Sequence, residues 1–391
     1  MTHLTFSTSG GAGVVASRLH QAQRELGWDA ELIAASSSDL RSKPFEHPSV
    51  TLSTAIDNYV SRDSGFPALY SDSRDKRSVL TSPMPDSDIF HLHWINGLFD
   101  LSHTQVLRKR PVFWTLHDMN PFTGGCHHSF GCEGFVTDCG ACPAVRSIFH
   151  SRPPKNLDRK TTVYKAWSKL HVVTPSSWLA ELARRSVAFS DVPISVVHNP
   201  VNDQFFEKSQ PRKTGQNIAP EGHTVFVVVA ANLDDPIKNV GFVVDVFSNA
   251  RLKRPDLSLI LVGRGGGAHA NVPGVRVMGS LGPAELRDVF DQSDALLIPS
   301  LAENSPGVAF EAAARGVIPV VANSGGLPEI AELFSGYLCR SEKDWLHVMT
   351  TTIPENPQTA AQKSARSAKA KTLAAPESVG RQYLDLYESA L

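Results

Sequence analysis

The chain has 391 residues, enough for two or three domains with cores of their own, and its 41% hydrophobic and 20% charged content is that of an ordinary globular protein. Its 38 basic and 39 acidic residues leave a net charge of −1, so nothing in the overall balance calls for nucleic acid as a partner. No apolar run approaches the roughly 18–20 residues of a membrane-spanning helix. The opening MTHLTFSTSGGAG has no basic stretch leading into a long apolar core, so it does not read as a secretory signal and the expected location is cytoplasmic.

In chain order, short apolar runs of strand length alternate with helical periodicity, the pattern of repeated βα units with parallel sheets. The first series opens with a strand at His3–Ser7, a glycine-rich turn at Ser9–Gly13 and a helix from Val14 to about Leu26, which Gly27 stops. Strands follow at Ala30–Ala34, Ile89–His93 and Pro111–Leu116, then a basic helix around Arg159–Leu170 and strands at His171–Thr174 and Ile194–Val197. This half closes at HNPVN, residues 198–202, and the polar segment 203–222 reads as a linker. The second series runs through strand Thr224–Ala230, helix Val240–Leu252, strands Leu257–Val262 and Val275–Met278, and helix Pro283–Gln292. It continues with strand Ala295–Pro299, helix Pro306–Arg315, strand Val317–Ala322 and the turn and helix GGLPEIAELF, before a last amphipathic helix at 377–391. The expected architecture is two doubly wound α/β domains, 1–202 and 223–376, facing a cleft, with ligands at the carboxyl ends of the strands.

The most informative stretch is PSLAENSPGVAFEAAARG, residues 299–316. A strand ends at Pro299, Ser305 is placed to cap a helix, Pro306 suits its first position and Gly316 the position after its last turn. Backbone N–H groups at Ser305, Gly307 and Val308 then face the strand end as an anion site. Glu303 lies in the loop before the helix and Glu311 one to two turns inside it, and carboxylates accept hydrogen bonds from sugar hydroxyls.

Those residues, with VIPVVANSGGLPEI after them, resemble the donor-binding signature of the retaining family-four glycosyltransferases, whose fold is GT-B, two Rossmann-like domains. The resemblance covers nearly the whole chain, since the glycine turn, the linker position and the returning C-terminal helix all fit. It implies that Glu311 holds the ribose of a nucleoside diphosphate sugar and that Glu303 contacts donor-sugar hydroxyls near the reacting carbon. Lys238, in AANLDDPIKNVGF, matches the family's cation against the donor diphosphate, where developing charge is stabilised. The arginine that many members carry a few residues earlier is replaced here by Asn232, and Arg264 in LVGRGGG is a further candidate cation. Gly10 and Gly11 match the family's glycine pair, and His117, in FWTLHDMNPF, matches a histidine close to the donor sugar. His91 and His93 share one face of their strand and either line the acceptor side or pack.

The implied reaction moves a glycosyl group from a nucleoside diphosphate sugar to an acceptor hydroxyl with retention. No cofactor is required, because Lys238 and the helix N-terminus stand where a divalent cation would. The acceptor expected from the resemblance to bacterial envelope enzymes is a glycan or lipid-linked glycan. The segment KNLDRKTTVYKAWSK, 155–169, either rests on the inner face of the plasma membrane or packs its apolar side on the first domain. Rival readings are a nucleotide-sugar epimerase of the same architecture, a non-catalytic sugar-binding protein, and a zinc-dependent hydrolase centred on GGCHHSFGCEGFVTDCGACP, 124–143.

That last stretch holds Cys126, Cys132, Cys139 and Cys142 with spacing C-x5-C-x6-C-x2-C. A closed shell of four thiolates would hold a structural zinc without an open position, with His127 or His128 able to replace one thiol. Disulfides and free thiols are the alternatives, the former disfavoured in a reducing compartment.

Overall fold

The computed structural model describes residues 1–36, 56–61, 69–72, 86–98, 105–208 and 217–391. They form two compact units, Met1–His198 with Val379–Leu391, and Asn199–Ser378. Each is built on one six-stranded sheet whose neighbouring strands all pair in parallel.

In the first unit the strands are β1 (Thr2–Ser7), β2 (Glu31–Ser36), β3 (Phe90–Leu92), β4 (Val112–Thr115), β5 (Leu170–Thr174) and β6 (Ile194–Val196), in the order β2-β1-β3-β4-β5-β6. The order reverses between β1 and β3, which makes the carboxyl ends of those two strands the switch point where such sheets bind ligands. The first helix spans Gly10–Glu25 and starts four residues earlier than the sequence indicated, so the glycine turn is its first turn. Gly10 has φ +73 and so favours glycine, whereas the close approach falls at Gly13, where a Cβ would lie 2.2 Å from the Ser7 carbonyl oxygen.

The basic helix is Arg152–Lys165, begun by Pro153 and Pro154 in its first turn and therefore earlier than the charge pattern indicated. Its Val163 and Tyr164, with Trp167 beyond it, are buried in the core of the first unit. Of the two roles open to this segment the structure shows the packing one. The rings are not on the surface, and Lys160 is buried too, its Nζ donating to the Asn120 carbonyl at 2.5 Å and the Thr123 carbonyl at 3.0 Å. Burial lowers the Lys160 pKa to about 8. A helix at Ser177–Arg185, capped by the Ser176 side chain, had no counterpart among the expected elements. The last helix, Pro376–Glu388, buries Val379, Tyr383 and Tyr387 in the first unit.

The second unit contains β7 (Thr224–Asn232), β8 (Leu257–Arg264), β9 (Val275–Val277), β10 (Ala295–Ile298), β11 (Ile318–Ala322) and β12 (Tyr337–Cys339), ordered β12-β11-β10-β7-β8-β9. This is the dinucleotide-binding order, with its reversal between β7 and β10. Runs such as VFVVVA and SLILVG are apolar without alternation because helices cover both faces of a parallel sheet. The expected linker is not wholly a linker. Phe205 and Ile218 are buried in this unit's core, while 209–216 lie outside the described residues. No helix among the described residues is long and apolar enough to cross a membrane.

Candidate functional site

At the switch point of the second unit, two loops are stitched together. After β7, Asp235 caps the short turn Pro236–Lys238 through the Ile237 N–H at 2.9 Å, and Asn239, left-handed at φ +54, turns the chain into the Val240–Lys253 helix. The Asn239 amide donates to the Pro299 carbonyl at 3.3 Å, and the Leu301 N–H donates to the Ile237 carbonyl at 2.8 Å. These bonds bring Lys238 Nζ to 2.5 Å from Glu303 Oε1, and the Ser300 hydroxyl donates to the same oxygen at 3.2 Å. Lys238 and Glu303, 65 residues apart, thus form one charged pair over the ends of β7 and β10.

The helix that follows spans Gly307–Ala314 with Pro306 at its N-cap. Ser305 does not cap it, contrary to expectation: its hydroxyl is buried without a hydrogen-bond partner. Proline at the cap position fixes the turn in place of the side-chain bond. The N–H groups of Gly307 and Val308 precede the helix's internal acceptors, and among the described residues nothing lies within 4 Å of where a Gly307 Cβ would stand. Glu311, in the middle of this helix, is half-buried.

Asn232 and Arg264 are paired at the ends of β7 and β8 and both are exposed. The Asn232 side-chain Oδ1 accepts from the Asp234 N–H at 3.2 Å, and Arg264 Nε donates to the Ala231 carbonyl at 3.3 Å. Ser300 had no role in the sequence reading, and the glycine pair Gly325–Gly326 was visible there as a turn but not as a support for Glu303. The Gly326 N–H donates to the Glu303 carbonyl at 2.9 Å, fixing the loop from behind. The signal was present in ANSGGLPEI, since a glycine pair directly after a strand marks close backbone approach.

In the first unit, Gly10 and Gly11 are exposed beyond β1, and His117 is half-buried beyond β4. His117 does not stand alone. His93 Nδ1 is 3.2 Å from His117 Nε2, His3 Nδ1 is 3.1 Å from His93 Nε2, and His3 Nε2 is 2.7 Å from Gln23 Oε1. His91 pairs with His3 in register, so both point to the face covered by Tyr383 and Tyr387. Burial lowers the pKa of His3 to about 3 and of His117 to about 4, and holds His91 and His93 well below the usual imidazole range.

These histidines are therefore neutral when folded and titrate near 6.5 when unfolded, so the unfolded chain binds more protons below pH 6.5. Their contribution to stability is complete above that pH and lost as pH falls toward 4. Between pH 7 and 5 the expected loss is about 2 kcal/mol for His3, with further losses of the same sign from His91 and His93. Urea titrations at the two pH values test this, and an unchanged midpoint would contradict it.

The cysteine stretch forms a loop tied to residues 69–72 by a bridge between Tyr70 and Cys126. All five cysteines are free thiols, so the disulfide alternative is not the one seen. The Cys126 thiol donates a hydrogen bond to the Cys142 sulfur, and that bond, with the Ala144 and Val145 N–H groups, lowers the Cys142 pKa while it raises that of Cys126. Cys139 accepts from the Gly124 N–H at 3.2 Å, while burial pushes its thiol up to about 12. N–H donors on sulfur suit thiolate ligands. Asp118 Oδ2 is 2.7 Å from His127 Nδ1, and His127 Nε2 meets the Ser71 hydroxyl, an alignment reminiscent of a hydrolase triad. The Ser71 and Asp72 N–H groups are engaged by the Gly125 carbonyl and Asp57, so neither of these two is available to an oxyanion.

Two nucleotide-type α/β units with a cation–carboxylate pair over a switch point define a GT-B protein. The Glycosyltransferase Family 4 model matches residues 9–205 and the Glycosyl transferases group 1 model matches 224–353, so the chain belongs to Glycosyltransferase Family 4 and is a glycosyltransferase. Over 75 residues it is 31% identical to a protein described as a colanic acid biosynthesis glycosyl transferase, WcaC of Escherichia coli (strain K12), a match covering 18% of each chain. Its fold is similar to that of Anabaena Alr3699/HepE, solved with UDP-glucose, with TM-score 0.62 and 14% identity over 99% of both chains. It is also similar to the sucrose-phosphate synthase of Thermosynechococcus elongatus, with TM-score 0.60 and 17% identity over 99% of this chain and 98% of that one.

Proposed function

We propose that the protein is a retaining glycosyltransferase that moves a sugar from a nucleoside diphosphate sugar to a hydroxyl of a glycan or lipid-linked acceptor in cell-envelope polysaccharide synthesis. The observation that carries this reading is the Lys238–Glu303 pair, 2.5 Å apart beside the N-terminus of the Gly307–Ala314 helix. An arriving diphosphate takes the Lys238 ammonium and the Gly307 and Val308 N–H groups, and releases Glu303 toward the sugar hydroxyls. Charge developing on the leaving diphosphate is then met by groups already in place, without a metal ion. Glu311 takes the ribose, His117 the donor sugar, and Asn232, Arg264, Gly10 and Gly11 line the phosphate surroundings. The UDP-glucose bound to HepE and the colanic acid role named for WcaC support the donor class and the envelope setting.

A screen of nucleotide sugars for nucleotide release tests the reading. Wild type is expected to consume at least one donor, and Glu311→Ala to lose roughly a hundredfold in kcat/KM, the scale of a charge-assisted ribose contact. Absence of binding and turnover with every donor and acceptor tried would sink it.

In the same reading the four cysteines hold a structural zinc that braces the loop following His117. Their thiol chemistry supports the reading, while the one group of three or more potential ligands that the described residues bring within 4.8 Å of one another is His3, His91 and His93 rather than the cysteines, so the loop would have to close around the ion. Purified protein is expected to contain one zinc per chain, lost in Cys142→Ser together with thermal stability; metal-free wild type with full stability would refute it.

A further inference from the structure

Glu303 receives both of its side-chain hydrogen bonds on the same oxygen. Lys238 Nζ lies 2.5 Å from Oε1 and the Ser300 hydroxyl donates to it at 3.2 Å, while among the described residues Oε2 has no partner. The directions of these bonds leave no choice, because an ionised carboxylate only accepts. Ser300 is buried, and Oε1 is the only acceptor that its hydroxyl meets among the described residues.

The backbone that carries Ser300 is held from both sides. Its carbonyl accepts from the Ser324 hydroxyl at 2.6 Å, in the loop after β11, and toward the β7 loop the Pro299 carbonyl accepts from Asn239 and the Leu301 N–H donates to Ile237. The Gly326 N–H fixes the Glu303 carbonyl at 2.9 Å. The serine hydroxyl therefore stands on a fixed frame, whereas Lys238 reaches the same oxygen through a flexible stem that is 31% exposed. Of the two partners of Oε1, the lysine can leave and the serine cannot.

This difference matters when an anion competes for the ammonium. A diphosphate carries more charge than one carboxylate and draws Lys238 toward it, and a glutamate left without a partner spreads over the many rotamers open to it. A hydroxyl bond to an ionised carboxylate is charge-assisted and spans roughly 2.5–2.7 Å. At 3.2 Å the Ser300 bond is long for its kind, as expected of a second hydrogen on an oxygen that an ammonium already holds.

We propose that Ser300 is a positioning residue that keeps the Glu303 carboxylate in place, with Oε2 left for the sugar, after Lys238 turns to the diphosphate of the nucleotide sugar. The bonds stand by themselves, whereas the handover rests on the glycosyltransferase reading above. In the free protein Lys238 holds Glu303 with or without the serine hydroxyl. Loss of that hydroxyl is felt only once the nucleotide sugar is bound.

Crystal structures of Lys238→Ala and of Lys238→Ala/Ser300→Val test the hold without any substrate. In the single variant Glu303 Oε1 is expected to remain on the Ser300 hydroxyl at less than about 3.0 Å, and in the double variant the carboxylate is expected to leave that position. A Glu303 that swings away from Ser300 in Lys238→Ala, or that stays in place in the double variant, overturns the proposal. The outcome is decided even if no nucleotide sugar is turned over, a result that would count against the functional reading alone.

A kinetic arm compares Ser300→Thr with Ser300→Val, which share a shape and differ in the hydroxyl alone. With a nucleotide sugar found by the screen above, Ser300→Val is expected to lower kcat about tenfold with little change in KM, the cost of a reacting group loosely held. Ser300→Thr is expected to recover most of that loss. Equal losses in the two variants, or a raised KM with kcat unchanged, would mean that Ser300 serves packing or ground-state binding, and would overturn the positioning role.

Discussion

Lys238→Ala is expected to lower kcat/KM for the nucleotide-sugar donor about a thousandfold, the upper range for removing one preorganised charge partner of a transition state. Its folding stability is expected to change by no more than about 1 kcal/mol, because the Lys238 side chain is 31% exposed and such pairs contribute little in water. The two expectations belong together. Glu303 keeps its bond from Ser300 at 3.2 Å, and the loops keep the Asn239–Pro299 and Leu301–Ile237 bonds, so the scaffold survives while the cation is gone. Lys238→Arg is expected to recover only part of the rate, since a planar fork replaces a compact ammonium in contact with one carboxylate oxygen. Donor kinetics and a urea titration on the same preparations check both halves. An alanine variant with wild-type kcat/KM would remove the donor site from this position.

The second large effect comes from a residue packed against the backbone of Glu303. Gly325→Ala places a Cβ 2.0 Å from the Glu303 carbonyl oxygen, at a backbone φ of +55 that side chains disfavour. The Glu303 segment or the Gly325 turn must move, and the Gly326 N–H bond to the Glu303 carbonyl is lost with that movement. A destabilisation of about 2–4 kcal/mol is expected, combining overpacking with strain at positive φ. Activity is expected to fall about a hundredfold or more in the fraction that remains folded, because the carboxylate is displaced from Lys238. Thermal melts and kcat measured below the melting range separate the two losses. A variant as stable and active as wild type would show that the two backbones do not approach so closely.

The second unit was the more legible of the two in the sequence. Its strands are uninterrupted apolar runs between turn residues, and the helices after β7 and β10 start within a residue of where capping chemistry put them. What local pattern could not give was the exchange of roles at Ser305 and Pro306, since both residue types favour helix starts and packing chose between them. The Lys238–Glu303 contact joins residues that only the sheet order brings together, so the sequence identified the two side chains but not their pair.

In the first unit the losses were larger. His91 and His93 were visible as two residues on one face, yet His3 became their partner only through the register of β1 against β3, and Gln23 through the packing of a helix whose polar residue points inward. The burial of Lys160 was not legible for a related reason. A helix with many lysines looks like a solvated or membrane-facing surface, and one buried lysine among them carries no mark of its three backbone and side-chain acceptors.

The Pro376–Glu388 helix has a consequence for how the molecule is made. Residues 1–198 leave the ribosome first, but Tyr383 and Tyr387, which complete their core and their histidine network, are translated last. All of Asn199–Ser378 must be synthesised in between, a delay on the order of ten to forty seconds at ordinary elongation rates. During that interval the second unit can fold as an uninterrupted segment while the first waits with an open seam over β3 and β4. The nascent chain is thus expected to mature in the reverse of its written order, and chaperones binding early would meet the first unit rather than the second.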